Sequence, residues 1–228
     1  MLLILLGGEN MLENLKRELL QVAKDAEKSG LCRHKSGNFS IRDRKSNLVV
    51  VTPAGVDRNE LIHEQICVVD MEANVIERLG DMKPTSELLM HLQIYKTRPD
   101  VNVIVHTHSK FATSFAVLKK PIPTIVYECS VLGLKEGVIP VADYGTPGTT
   151  ALSNSVIEPI QKADVILLES HGVVAVDKNS KDALLKANYV EELAEIYYRA
   201  LMMNGGKEPN AVSLDEIQKW RYPSEIKF

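Results

Sequence analysis

Residues 101–108 carry the residue types and spacing that most clearly indicate chemistry. They read V-N-V-I-V-H-T-H, so an apolar, β-branched run ends in two histidines with one residue between them. Alternate side chains of a strand point to the same face, which places His106 and His108 together, about 6–7 Å apart along the backbone. Two such imidazoles predict a metal site with room for a third ligand and a substrate, as in a metalloenzyme. Hydrogen-bonded core histidines are the alternative.

His171 is the candidate for the third ligand. It lies in S-H-G, between the apolar runs 165–168 and 173–176, and Gly172 allows a tight backbone turn after it. Histidines at strand ends from distant parts of a chain can meet at one edge of a sheet. A hydrogen-bonded turn histidine is again the alternative. The other histidines lack such a setting, and His91, one turn after Glu87, is predicted to pack in the core or support the site.

Glu87 is the candidate acid or base. It ends the segment P-T-S-E at 84–87, which is predicted to open a helix. A carboxylate beside a divalent metal could move a proton to or from a substrate carbon. A carboxylate in the first turn also suits the helix dipole, so the sequence leaves both interpretations open.

Three segments are candidates for holding phosphate. Two are turns of small residues, S-G-N at 36–38 and T-P-A-G at 52–55, whose backbone N–H groups could bind phosphate oxygens. The third, at 84–87, presents two hydroxyls at a helix start, where anions are favoured. Each segment could equally be an ordinary turn or helix cap. None has the Walker or dinucleotide pattern, so no nucleotide-binding fold is predicted.

The elements that must position these residues alternate between pairs of short strands and single helices. This order predicts an α/β (α+β-like) single domain with a mainly antiparallel central sheet between helical layers. Helical periodicity or helix signals are found at 11–29, 84–98, 110–118, 149–161 and 181–203. Strand patterns are found at 39–42, 48–52, 65–70, 74–78, 101–108, 124–127, 138–141, 165–168 and 173–176.

Composition narrows the class of protein. The 228 residues are 45% hydrophobic and 25% charged, which is typical of a globular protein. A net charge of −3 gives no electrostatic case for nucleic acid. The apolar run 2–6 is too short to span a bilayer, so residues 1–10 are predicted to be a tail, 11–228 the domain, and the location cytoplasmic without membrane association. The three cysteines, Cys32, Cys67 and Cys129, fit reduced core thiols.

Taken together, six motifs resemble the class II aldolase and adducin family over roughly residues 12–204, with L-fuculose-1-phosphate aldolase the closest member in motif. Their shared order and spacing is far more specific than any single motif. In chain order they are S-G-N-F-S-I-R (36–42), T-P-A-G (52–55), K-P-T-S-E (83–87), H-T-H (106–108), I-P-T-I-V-Y (122–127) and S-H-G (170–172).

The resemblance implies roles for residues at the matching positions. His106, His108 and His171 match the ligands of one Zn²⁺ per subunit, with Mn²⁺ or Co²⁺ as alternatives, and Glu87 matches the catalytic carboxylate. Tyr127 matches a tyrosine that reaches into a neighbouring subunit's active site as proton donor, which implies a homotetramer with interfacial sites. The matches to phosphate-binding positions are Gly37, Asn38, Gly55, Thr85 and Ser86.

The implied reaction is the zinc-dependent, reversible aldol cleavage of a ketose 1-phosphate, such as L-fuculose 1-phosphate, to dihydroxyacetone phosphate and an aldehyde such as lactaldehyde. Two departures bear on the substrate: Ala54 stands where fuculose-phosphate aldolases tend to carry threonine, and the segment around Tyr222 only loosely resembles the family's mobile tail. Three alternatives stay open: a ribulose-phosphate 4-epimerase, a methylthioribulose-1-phosphate dehydratase, and a non-catalytic, adducin-like interaction module. Glu87 favours an aldolase over the epimerases, which carry aspartate there, but not over the dehydratase, which keeps a glutamate.

Overall fold

A central sheet of eight strands organises the computed structural model, which describes residues 2–219 and the side chains of residues 11–219. The strands are β1 (Asn38–Arg42), β2 (Val49–Val51), β3 (Cys67–Val69), β4 (Val75–Glu77), β5 (Val103–Thr107), β6 (Ile122–Pro123), β7 (Val138–Ile139), β8 (Val141–Ala142), β9 (Val165–Leu168) and β10 (Gly172–Asp177), with β6 and β7 forming a separate pair. The eight strands lie in the order β4-β3-β2-β1-β5-β10-β9-β8, and all neighbours are antiparallel except the parallel pair β8 and β9. The predicted mixed α/β domain with a mostly antiparallel sheet is therefore confirmed.

Helices cover both faces of the sheet because its central strands are apolar on both sides. The helices are α1 (Leu2–Lys28), α2 (Leu88–Thr97), α3 (Lys110–Val117), α4 (Thr150–Ser155), α5 (Ile157–Lys162), α6 (Ser180–Met203) and α7 (Leu214–Lys219). In β10, Val173 and Ala175 belong to the core cluster that includes side chains of α1, α3 and α6, whereas Val174 and Val176 belong to the cluster that includes side chains of α2, α4 and α5. No helix in this part of the chain combines the length and apolar character needed to cross a bilayer.

Proline and cross-loop hydrogen bonds explain where the elements differ from expectation. The helix expected at 84–98 begins at Leu88, because Pro84 forms a β-bridge with Pro53 and the N–H of Thr85 donates to the carbonyl of Thr52, which hold these two residues in strand-like pairing. The helix expected at 149–161 is divided into α4 and α5, since Pro159 has no N–H for the carbonyl of Ser155.

Other boundaries differ near Tyr127 and at the N-terminus. The strand expected at 124–127 lies at β6, and Tyr127 instead begins a 3₁₀ turn, Tyr127–Val131. Pro140 separates β7 from β8, where one strand was expected. Helix α1 begins at Leu2, so most of the segment predicted as a tail is helical. The boundary between a tail and a domain stays a prediction.

Candidate active site

The three predicted ligand histidines meet at one end of the sheet. His106 is the fourth residue of β5, His108 follows the end of that strand, and His171 lies in the turn between β9 and β10. Because β10 pairs with β5 in antiparallel register, with Val173 opposite Thr107, the turn before β10 lies beside the end of β5. The three ring centroids are 4.8–4.9 Å apart, and the Nε2 atoms of His106 and His108 are 3.1 Å apart.

Glu87 completes this group from the N-cap position of α2. Its Oε2 atom lies 3.4 Å from Nε2 of His106 and 3.5 Å from Nε2 of His171. Each of the four residues offers one atom that could bind a metal ion, and these four atoms all lie within 4.8 Å of one another. We call Glu87, His106, His108 and His171 the histidine–carboxylate cluster.

The donor set of the histidine–carboxylate cluster fits a divalent metal ion. Imidazole nitrogens and a carboxylate oxygen are ligands that Zn²⁺ accepts. Nδ1 of His106 donates to the carbonyl of Val173 at 2.8 Å, which leaves the lone pair of Nε2 directed at the cluster. Within the described residues, the buried Oε2 of Glu87 has no hydrogen-bond partner. A buried carboxylate oxygen without a partner is costly unless a cation compensates it, so an ion here would stabilise the site.

Burial sets the charge state of the cluster in favour of metal binding. Removal from water lowers the pKa of His106 to about 3 and also lowers the pKa of His108, so both imidazoles are neutral near pH 7. Burial alone would raise the pKa of Glu87, but the positive charge that His106 and His171 carry when protonated outweighs it and lowers that pKa. Neutral imidazoles beside an ionised carboxylate are the forms that coordinate a cation.

The turn that presents His171 depends on a glycine. Ser170 has a left-handed φ of 54°, and the N–H of His171 donates to the carbonyl of Leu168 at 3.0 Å, which closes the turn. A methyl group at Gly172 would overlap the carbonyl oxygen of Thr107 and lie 3.2 Å from Cδ2 of His108. The absence of a side chain at position 172 therefore permits β10 to approach the histidines.

Replacing Gly172 with alanine is expected to disrupt the site. The added methyl group must push β10 away from Thr107, and overpacking of this kind costs about 1–3 kcal/mol. We expect a lower melting temperature and a metal content well below that of the original chain, measured by thermal denaturation and elemental analysis. Gly30→Ala is the control, because Gly30 has a φ of 80° with open space around it. It should lose comparable stability and keep its metal, whereas full metal occupancy in Gly172→Ala would contradict the steric argument.

The three predicted phosphate segments lie side by side next to the cluster. The N–H of Thr52 donates to the carbonyl of Phe39, and the N–H of Thr85 donates to the carbonyl of Thr52, at 3.0 Å each. Pro53 and Pro84 form a further β-bridge between the second and third segments. These bonds bring residues 36–38, 52–55 and 84–87 together, as binding one phosphate group would require.

The individual residues of these segments have different surroundings. Gly37 and Gly55 both have a φ of 73°, and a methyl group at Gly37 would lie 2.6 Å from Sγ of Cys32 and from the carbonyl oxygen of His106. Ser86 is exposed, whereas Thr85 is buried and its hydroxyl accepts from the N–H of Glu87 at 3.3 Å. The role of these three segments in phosphate binding stays a prediction.

Asn38 contacts the catalytic candidate. Its side-chain Nδ2 donates to Oε1 of Glu87 at 3.2 Å, and its Oδ1 accepts from Nε2 of His91 at 2.6 Å. The sequence indicated neither contact, and its only signal for His91 was the spacing of one helical turn from Glu87. Both polar groups of the Asn38 side chain are thus engaged within the protein.

Arg58 is a supporting residue that the sequence did not indicate. Its guanidinium is buried and donates to the carbonyl of Ser36 at 2.8 Å and to the carbonyl of Gly37. It also lies over the ring of Phe39, 5.2 Å from the centroid. Arg58 therefore fixes the inner side of the turn at 36–38, and no motif links these positions along the chain.

Tyr127 lies apart from the buried cluster, on the surface. Its side chain is 61% exposed at the start of a 3₁₀ turn, whereas Glu87 is 6% exposed. The predicted contribution of Tyr127 to a neighbouring subunit stays a prediction. Tyr222, expected in a tail that closes over the site, lies outside the described residues.

The regions that match known proteins include all of these segments. The family model of the class II aldolase and adducin N-terminal domain matches residues 17–198. The chain is 33% identical over 208 residues to 5-deoxy-D-ribulose 1-phosphate aldolase of Bacillus thuringiensis serovar kurstaki, covering 91% of this chain and 94% of that protein. It is 38% identical over 162 residues to L-fuculose phosphate aldolase of Methanococcus maripaludis, covering 71% and 84%. A solved structure of L-fuculose 1-phosphate aldolase aligns with a TM-score of 0.82 at 34% identity, covering 90% and 93%.

Proposed function

Because this chain belongs to the class II aldolase and adducin family, we propose that it catalyses the reversible, metal-dependent aldol cleavage of a ketose 1-phosphate to dihydroxyacetone phosphate and an aldehyde. The prediction of an aldolase, a carbon–carbon lyase, is confirmed by the family match and by the relatives named aldolases. The observation that carries the proposed reaction is the position of the histidine–carboxylate cluster beside three segments suited to phosphate.

A divalent cation bound by three histidines would act as the electrophile in the proposed reaction. His106, His108 and His171 would hold one Zn²⁺ through their Nε2 atoms. When bound, such an ion acts as a Lewis acid that polarises a ketone and stabilises the negative charge that develops when the carbon–carbon bond breaks. The hydrogen bond from Nδ1 of His106 to the carbonyl of Val173 fixes that ring's orientation and tautomer.

Glu87 would move the proton. In the cleavage direction it protonates the carbon that becomes a hydroxymethyl group of dihydroxyacetone phosphate, and in the condensation direction it removes that proton. Its Oε1 is held by Asn38, while its Oε2 faces the histidines without a hydrogen bond, so Oε2 is the atom available to accept a proton. The low pKa of the carboxyl group keeps Glu87 ionised before substrate binds, which is the basic form that removes the proton in the condensation direction.

We propose a deoxyketose 1-phosphate as the substrate, with L-fuculose 1-phosphate first among them. One relative is named for 5-deoxy-D-ribulose 1-phosphate and another for L-fuculose phosphate. In both sugars the phosphate-bearing half becomes dihydroxyacetone phosphate, whereas the aldehyde half ends in a methyl group. The segments at 36–38, 52–55 and 84–87 would bind the half that both substrates share.

Product analysis of the metal-loaded protein tests the reaction. Incubated with L-fuculose 1-phosphate or 5-deoxy-D-ribulose 1-phosphate, the protein is expected to release dihydroxyacetone phosphate and one equivalent of lactaldehyde or acetaldehyde. A coupled reduction measures the first product, and chromatography of a hydrazone derivative identifies the aldehyde. Methylthioribulose 1-phosphate and ribulose 5-phosphate are the comparison substrates: loss of water from the former or epimerisation of the latter, without aldehyde release, would contradict the aldolase proposal.

We also propose that the protein is a cytoplasmic homotetramer. In the condensation direction Tyr127 of one subunit would protonate the aldehyde oxygen at the neighbouring site, and in cleavage it would take that proton back. The exposure of Tyr127 supports this arrangement, because a residue that serves a neighbouring subunit must lie on the surface of its own chain.

A further inference from the structure

We propose that His91 is a positioning residue that orients Glu87 through Asn38. It holds one carboxylate oxygen of Glu87 in place and leaves the other facing the histidine–carboxylate cluster. This inference rests on the proposed function, since it assigns a cause to the orientation of the proton-transfer group. Its support is a continuous line of hydrogen bonds between buried side chains.

Acceptor and donor chemistry fixes the direction of this line at its active-site end. An ionised carboxylate only accepts hydrogen bonds, so Asn38 must present its NH₂ group to Oε1 of Glu87, 3.2 Å away. The carbonyl oxygen of the Asn38 amide then faces Nε2 of His91 at 2.6 Å. Nε2 must therefore carry the hydrogen, because a carbonyl oxygen cannot donate.

The other ring nitrogen of His91, Nδ1, connects this line of hydrogen bonds to side chains in the core. Nδ1 accepts from the hydroxyl of Ser40 on β1 at 2.7 Å, because the hydrogen of the ring is on Nε2. The hydroxyl of Tyr95 on α2 lies 2.8 Å from that of Ser40 and 3.0 Å from the carbonyl oxygen of Asn102, and its single hydrogen can go to either. His91, Ser40 and Tyr95 are fully buried, so no water competes for these bonds. A buried hydrogen-bond network of this kind restricts the motion of its side chains.

This line of hydrogen bonds determines the orientation of the Glu87 carboxylate. Because Asn38 holds Oε1, the plane of the carboxylate is fixed and Oε2 points to Nε2 of His106 and His171. Without a donor at Nε2 of His91, the amide of Asn38 is free to rotate and Glu87 loses its fixed orientation. A misplacement of about 1 Å in a reacting group can lower a rate about 100-fold.

The same contacts indicate a different role for the side chain of Asn38. The resemblance placed this residue among the phosphate-binding positions, but its side-chain donor is directed to Glu87 and its acceptor to His91. An Asn38 that orients the base affects kcat, whereas an Asn38 that binds phosphate affects KM. The two roles are therefore separable by kinetics.

Two substitutions of His91 form a matched pair. Glutamine places an amide nitrogen three bonds from Cβ, where Nε2 of histidine stands, and keeps the donor to Asn38. Asparagine places its polar atoms two bonds from Cβ, where Nδ1 stands, and keeps only the contact to Ser40. We expect His91→Asn to lower kcat about 10- to 100-fold with unchanged KM and metal content, and His91→Gln to stay within about 3-fold of the original kcat. Equal losses in both variants, or no loss in either, would overturn the proposal.

Asn38→Ala keeps the proposal testable if the His91 variants fold poorly. It should lower kcat to a similar extent with KM unchanged, and adding His91→Asn to it should cost no further activity, since both remove the same link. A higher KM with unchanged kcat would assign Asn38 to phosphate and overturn the positioning role.

A crystal structure of His91→Asn separates this inference from the proposed function. The expected result is a rotated Glu87 carboxylate whose Oε1 no longer accepts from Asn38, whereas in His91→Gln the original contact is retained. An unrotated carboxylate in His91→Asn would contradict the proposal. Failure of the proposed function appears instead as absence of aldol cleavage by the unmodified protein, which leaves the structural outcome free to decide the role of His91.

Discussion

Replacement of Glu87 with glutamine is expected to lower kcat by about 100- to 10,000-fold while the protein still holds its metal ion. The glutamine side chain has the same length and shape as glutamate, and its carbonyl oxygen can accept the hydrogen bond that Asn38 Nδ2 donates to Oε1. Its NH₂ group then faces the histidines where Oε2 stood. An amide in that position cannot take up a proton from substrate, so the loss falls on proton transfer.

The metal content distinguishes a catalytic role for Glu87 from a ligand role. Three imidazoles remain in Glu87→Gln, and three protein ligands are the usual number at a catalytic zinc site. We therefore expect close to one metal ion per chain by elemental analysis and a KM near that of the original enzyme. Loss of metal in parallel with activity would assign Glu87 to the coordination sphere instead.

Glu60→Gln is the matched control for this substitution. It makes the same change of functional group at an exposed carboxylate outside the cluster and should leave both kcat and metal content unaltered. A Glu87→Gln protein as active as Glu60→Gln would contradict the acid–base role.

Local patterns were sufficient to predict that the histidines of the candidate site lie together. A β-branched run followed by H-x-H has the two-residue period of a strand, and the structure places the imidazoles of His106 and His108 together at the end of β5. The strands predicted at 39–42 and 48–52, at 65–70 and 74–78, and at 165–168 and 173–176 are found as neighbouring antiparallel pairs, β1–β2, β3–β4 and β9–β10. Hairpins are readable because their partners are neighbours in the sequence and their turns carry polar residues.

Contacts between distant segments account for what could not be predicted. Pairing of β1 with β5 places Asn38 opposite His106, and no local signal specifies that pairing. The same register brings Ser40 on β1 within reach of His91 and Tyr95 on α2. In the sequence, these residues look like separate members of a strand and a helix. Their contacts form only when α2 is packed against the sheet.

The start of α2 shows how tertiary contacts override a local signal. P-T-S-E has the residues of a helix N-terminus, yet the helix begins at Leu88. Bonds from this segment to residues 52–54 keep it extended through Pro84 and Thr85. As a result, Glu87 stands at the N-cap, where its side chain can turn towards the histidines instead of lying along the helix surface.

His171→Ala is expected to lose the metal ion and, with it, all measurable turnover. His106 and His108 would remain as an imidazole pair, with Glu87 as the nearest further donor. Loss of a residue that merely supports a metal ligand typically lowers affinity about 10- to 100-fold, so loss of a ligand itself should lower it further. After dialysis against a chelator and return of one equivalent of Zn²⁺, elemental analysis should find little metal in the variant.

Thermal stability gives a readout of metal binding that is independent of activity. A ligand that binds only the folded state raises the free energy of unfolding, and hence the melting temperature, in proportion to the logarithm of its concentration over Kd. The original chain should therefore melt at a higher temperature with Zn²⁺ than without it, whereas this difference should vanish in His171→Ala. Comparison within each protein removes any stability change caused by the truncation itself.

His63→Ala is the control, because it removes a partly buried imidazole that contacts Glu13 and Glu64 outside the cluster. It should keep the metal-dependent rise in melting temperature and the full metal content. Unchanged metal content in His171→Ala would exclude His171 as a ligand and leave only His106, His108 and Glu87 in the cluster. We expect no other histidine to replace His171. The turn that carries it is packed closely against Thr107 at Gly172, so another histidine could reach its position only if β10 moved.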